Sequence, residues 1–131
     1  MRFVLLPLLA TCAGLLAMAT HADDTRSIAD GVYTEAQAES GEALYAEHCL
    51  ICHDKKYFRP VIQRWNGQPI SMMYMIMSTS MPESNPASLG KNEYADILAY
   101  ILSLSRYPAG ETALPAEDAA LERILVGPRQ R

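Results

Sequence analysis

Cys49-Leu50-Ile51-Cys52-His53 is the stretch on which the reading of this chain turns. Its two thiols stand three positions apart, so one turn of backbone presents both, and an imidazole follows at once. This pattern, C-x-x-C-H, is the attachment signature of a c-type haem. Each thiol can form a thioether with one vinyl group of the same porphyrin. The imidazole is thereby held under the iron as its proximal ligand. Covalent attachment fixes the cofactor even where little protein exists to wrap it.

Other readings of the pair fit less well. A thioredoxin-like redox motif needs a βαβ setting, and no such pattern is present. A zinc site needs a second Cys or His pair. The remaining cysteine is Cys12, far upstream, and the other histidines are His21 and His48. A disulfide between Cys49 and Cys52 would close a strained short loop and leave His53 without a role. The expectation is therefore one haem c, bound through Cys49 and Cys52, with His53 as an iron ligand.

The N-terminus agrees. Arg2 precedes an apolar run from Phe3 to Ala19, and two small-x-small sites follow, Ala17-Met18-Ala19 and Thr20-His21-Ala22. This reads as a secretory signal peptide over residues 1–22. The competing reading is a retained membrane anchor, but roughly 17 apolar residues are short for a span. Leu9-Ala10-Thr11-Cys12 is a weak lipobox, in which Thr before the Cys is unfavourable. All three readings place the domain outside the cytoplasm, and the expected location is the periplasm. Membrane association is expected only if the leader is retained.

The leader holds one of the 11 Lys and Arg and none of the 15 Asp and Glu, so the mature chain carries −5 against −4 for the whole. No basic patch or stripe is present, which argues against a nucleic-acid partner. The most basic cluster, Lys55, Lys56 and Arg59, follows the haem motif; it reads as a solvated loop or as a rim to the haem edge. A single small domain of this size has a marginal core, to which a haem adds a large apolar body.

The rest divides into helical patches separated by Pro, Gly and Asn. Residues 23–39 read as a flexible leader and 127–131 as a disordered tail, with the mono-haem domain over 40–126. Ser40 offers an N-cap to a helix from Gly41 to about Cys49. Gly41, Leu44, Tyr45 and His48 share one face of it, and the Gly permits close approach by another helix. Residues 54–69 read as loop, 70–78 as a short helix, and 79–87 as loop again. The strongest helix runs from Asn92 to Leu104, with Tyr94, Ile97, Leu98, Ile101 and Leu104 at the helical period. Leu89 and Glu93 mark its start, and Pro108 forbids its continuation. A last short helix is expected between Ala116 and Val126, and no strand.

The second iron ligand is sought among seven methionines. Met72, Met73, Met75 and Met77 lie in a helical run and read as packing. Met81 sits in a loop before Pro82, which biases it to extended geometry and presents its thioether from a rigid segment. It lies 28 residues beyond His53, enough to cross to the opposite haem face. His48, beside Cys49, reads as a surface or packing residue.

These elements together resemble a class I c-type cytochrome. The likeness rests on Gly41-x-x-x-Tyr45 before the haem motif, on Met81-Pro82, and on Tyr94 to Leu102, and it covers about residues 40–126. More narrowly, Arg64-Trp65-Asn66-Gly67, Met81 to Pro86, the terminal helix and Tyr107-Pro108-Ala109-Gly110 resemble cytochrome c partners and domains of quinoprotein (PQQ) dehydrogenases. The resemblance implies an all-α fold in which the Gly41 helix crosses the terminal helix, with Gly41 and Tyr45 against Ile97 and Tyr100. It implies a proline carbonyl accepting from the proximal His ring, matched by order with Pro60, and a tryptophan near a haem propionate, matched with Trp65. The stretch from His53 to Trp65 departs from the family pattern, being short and without a glycine-rich turn, and should leave one haem edge more open.

A His/Met pair leaves the iron no open position for substrate, and soft sulphur favours Fe(II). The expected function is one-electron transfer rather than catalysis, with a dehydrogenase (a quinoprotein in the narrower resemblance) as donor and a respiratory acceptor. The alternative is a five-coordinate haem sensor or enzyme, should Met81 not bind the iron.

Overall fold

The computed structural model describes residues 25–128. The expected signal peptide, Cys12 and residues 129–131 of the expected tail lie outside the described residues.

Helix α1 spans Glu35–His48, and it begins earlier than expected. Thr34 is the cap: it is extended, and its Oγ1 accepts from the Gln37 N–H at 3.2 Å. Ser40 lies inside the helix instead, donating to the Ala36 carbonyl. Residues 35–40 carry no apolar stripe that would announce a helix. They form one because Ala, Glu and Gln favour it and Ala38 packs into the core.

Helix α2, Phe58–Gln63, was not expected, because Pro60 suggested loop. Pro60 occupies the first turn, where the missing N–H has no intrahelical partner to lose. Helix α3 spans Ile70–Ser80, and helix α4 spans Lys91–Leu104. Glu93 caps α4 by accepting from the Gly90 N–H at 2.6 Å, as half of a capping box, since Gly90 has no side chain to return the bond. Tyr94, Ile97, Leu98 and Ile101 are buried as their period requires. So are Ala95, Ala99, Tyr100 and Leu102, because α1 covers one side of α4 while α2 and α3 lie on others.

The two long helices cross at Gly41. A β-carbon there would collide with the Asp96 carbonyl, so only glycine lets the backbones meet. Beside it, the rings of Tyr45 and Tyr100 meet edge-on at 5.3 Å. This all-α arrangement is the crossing expected of a small cytochrome c fold.

Two corrections concern the ends. Residues 25–39 are not a mobile leader among the described residues. Arg26–Ser27 (β1) pairs in parallel with Ile124–Leu125 (β2), so two short strands exist where none was expected. A 3-10 turn at Ile28–Asp30 follows β1. Ile28, Val32 and Tyr33 are buried, and Tyr33 donates to the Tyr107 carbonyl at 2.7 Å. The last helix, α5, is confined to Asp118–Leu121, and the chain then turns into β2. Val126 continues the pairing on the other side: its N–H donates to the Gln68 carbonyl, and its own carbonyl accepts from Gly67. No helix among the described residues is long and apolar enough to cross a membrane.

Candidate haem-binding site

The attachment motif begins where α1 ends. The Cys49 N–H donates to the Tyr45 carbonyl at 2.9 Å, closing the helix. The N–H groups of Cys52 and His53 then both donate to the Cys49 carbonyl, at 3.1 and 2.9 Å. This second turn gathers the two thiols and the imidazole as the spacing predicts. Tyr45 secures it from below, its hydroxyl donating to the carbonyls of His53 at 2.6 Å and Asp54 at 3.2 Å. Burial pushes the Tyr45 phenol up to about 12, which keeps it a donor. Cys49 is half-buried and burial pushes its thiol pKa up; Cys52 is exposed, and both are free thiols.

His53 faces the aromatic pair that opens α2, with ring centroids 4.5 Å from Tyr57 and 5.4 Å from Phe58. Two adjoining cavities of about 170 and 560 Å³ lie beside it, and both are lined by His53, Phe58, Met77, Met81 and Ile101. The inner one adds Trp65, Met73 and Leu98. The outer one reaches Cys49, Cys52 and Pro82. The walls are thus apolar and aromatic, with thiols at one edge and an imidazole and thioethers on the lining.

Met81 ends α3. It is extended (φ −119°, ψ 153°), as its place before a proline predicts. Its carbonyl accepts from the Tyr94 hydroxyl at 2.6 Å. Met77, one turn earlier on α3, lines both cavities too, and Met73 lines the inner one. The methionine run therefore divides by face. Met73 and Met77 turn inward, while Met72 and Met75 are exposed rather than packed.

Other expectations separate in the same way. Trp65 lines the inner cavity with His53. Pro60 does not join the site: it is exposed on α2, and the buried Nδ1 of His53 has no hydrogen-bond partner among the described residues. The short link after the motif places Pro60 inside a helix, so the matching by order fails. Of the three basic residues, Lys56 is exposed and the other two are engaged. Lys55 Nζ is paired with Glu42 at 2.9 Å, and Arg59 reaches the Leu104 carbonyl at 3.4 Å. His48 lines the outer cavity from its half-buried place at the end of α1. The residues that sequence reasoning missed are Tyr57, Phe58 and Met77. The aromatic pair directly after the motif was their one visible sign.

The residues fit a haem. Two thiols and an imidazole stand on one turn, facing a mainly apolar cavity that also holds thioethers, and the buried His53 ring nitrogen lacks a partner among the described residues. No three His, Cys, Asp or Glu among the described residues could hold a bare metal ion, which leaves the zinc reading without ligands. A bound haem supplies a one-electron Fe(III)/Fe(II) couple. The protein's part would be to hold it, with Cys49, Cys52, His53 and the cavity thioethers as the groups in reach.

Residues 36–101 match the model of the family described as cytochrome c oxidase, cbb3-type, subunit III. No curated protein and no solved structure shows significant similarity to the chain. The matched span is half of the chain and contains nearly all of α1, the C-x-x-C-H turn, Met81 and most of α4. The chain belongs to this family, and its domain is a c-type cytochrome, a haem-bearing electron-transfer module.

Proposed function

We propose that this protein is a periplasmic mono-haem cytochrome that accepts single electrons from a dehydrogenase and passes them to a respiratory acceptor. Cys49 and Cys52 carry the haem as thioethers, and His53 and Met81 are its axial ligands. The observation that carries this reading is that His53 and Met81 line the same two cavities. With both axial positions filled, no position on the iron remains for a substrate. The chain's task is then to hold two ligands in nearly one geometry while the iron changes charge, and rigid helices serve that.

The periplasmic location rests on the sequence of residues 1–22. The family description, a subunit of a cbb3-type oxidase, supports a terminal oxidase as the acceptor. A quinoprotein donor rests on the local resemblances around Arg64, Met81 and Tyr107. Visible spectra of the purified mature protein test the core of the reading. A ferric band from sulphur–iron charge transfer, with no carbon monoxide binding to the reduced form, is expected. Ready carbon monoxide binding would favour the five-coordinate sensor or enzyme instead.

A further inference from the structure

The Tyr94 hydroxyl is a node between three segments. It donates to the Met81 carbonyl at 2.6 Å and accepts from the Leu89 N–H at 3.4 Å. Tyr94 is itself only 2% exposed and stands in the first turn of α4. Met81 and Leu89 are the two ends of a loop whose interior, Glu83 to Ser88, is exposed. Within that loop, among the described residues, a backbone bond runs from the Asn85 N–H to the Pro82 carbonyl. One buried side chain thus ties both ends of an otherwise solvated loop to the longest-buried helix.

The two expected iron ligands differ in what else holds them. His53 directly follows the two attachment cysteines, on a turn closed by its own N–H and by Tyr45. Met81 has no covalent tether; besides the helix end behind it, Tyr94 is its anchor. We propose that Tyr94 is the positioning residue of the sixth ligand, holding the Met81 main chain so that the thioether stays on the iron. The proposal rests on Met81 being that ligand.

The consequence is quantitative. An added ligand can bind only by displacing the thioether, so its apparent affinity rises by the factor by which docking of Met81 weakens. Loss of one buried hydrogen bond corresponds to about a tenfold change in that equilibrium. The effect should be larger in the ferric protein, where soft sulphur binds less well.

The test is imidazole binding to ferric holoprotein, compared across wild type, Tyr94→Phe, Tyr74→Phe and Met81→Ala. Tyr74 is the control: it is also buried, and its hydroxyl donates to the Lys91 carbonyl at 2.9 Å, a comparable bond between α3 and α4 that touches neither end of the loop. Tyr94→Phe should bind imidazole about tenfold more tightly and lose its sulphur–iron band at a lower temperature than wild type. Tyr74→Phe should lose global stability but stay within about twofold of wild type in imidazole affinity. Equal affinities in the two tyrosine variants would reduce Tyr94 to a structural residue and overturn the proposal, while leaving Met81 as the ligand. Retention of the band in Met81→Ala would instead remove the ligand assignment, and the proposal with it.

A second measurement needs no tyrosine variant. Coupling is reciprocal, so losing the Met81 thioether should loosen the node. Hydrogen exchange at the Leu89 amide should be about tenfold faster in Met81→Ala than in wild type, by the same factor. Unchanged Leu89 exchange would count against the node even if Tyr94→Phe does not accumulate.

Discussion

Gly41 lies with its α-carbon directly against the main chain of Asp96, where α1 crosses α4. Alanine would ordinarily strengthen a helix by about 1 kcal/mol relative to glycine. Here it has no room. Gly41→Ala should therefore destabilise the domain, by about 1–3 kcal/mol, as overpacking does. Urea unfolding of the holoprotein gives the sign; a stabilised variant would mean that the helices can separate without loss.

Attachment should depend on each thiol separately. Cys49→Ser or Cys52→Ser should leave a haem held by a single thioether, and the double variant should yield none that survives a denaturing gel. The wild type, expressed with haem-maturation machinery, should show by intact mass one haem per chain. A bare polypeptide would sink the cofactor assignment.

Met77 and Met81 line both cavities, and only Met81 is expected on the iron. Met81→Ala should retain the haem, lower the potential and open the iron to small ligands. Met77→Leu keeps apolar volume and should leave the sulphur–iron band in place. The reverse pattern, with the band lost in Met77→Leu alone, would move the ligand one turn back along α3.

The alkaline limb of stability should involve Tyr33. Burial, with the nearby Glu35 carboxylate as a second cause, raises its phenol pKa above the usual value. The folded state thus holds this proton more tightly than the unfolded chain does. Its contribution is full below the unfolded value of about 10 and is lost as pH rises through the higher folded value. Tyr33→Phe should flatten the fall in urea midpoint above about pH 10 relative to wild type. An identical alkaline slope would show that other tyrosines carry it.

The sequence disclosed the parts whose signals are local. The C-x-x-C-H turn, the apolar period of α4 and the extended Met81 before Pro82 each depend on neighbours within a few positions. The parts it hid depend on distant partners. Nothing near Ile28 or Val32 says that they are buried, because the neighbouring strand finds its partner only at Ile124–Leu125 and Tyr33 only at Tyr107. The start of α1 carries no apolar stripe, so Ser40 reads as the cap and Thr34 gives no sign of its role. Pro60 misled twice, concealing a helix whose first turn tolerates it and standing in for an acceptor that its helical place denies to His53.

The parallel pairing of Arg26–Ser27 with Ile124–Leu125 also orders events in time. Synthesis runs from the N-terminus, so the segment before α1 is made nearly a hundred residues ahead of its partner. α1 must likewise wait for α4 before Gly41 has a surface to meet. The haem turn, by contrast, closes within residues 45–53. A cytochrome built this way presents its attachment turn early, while its two ends are still apart.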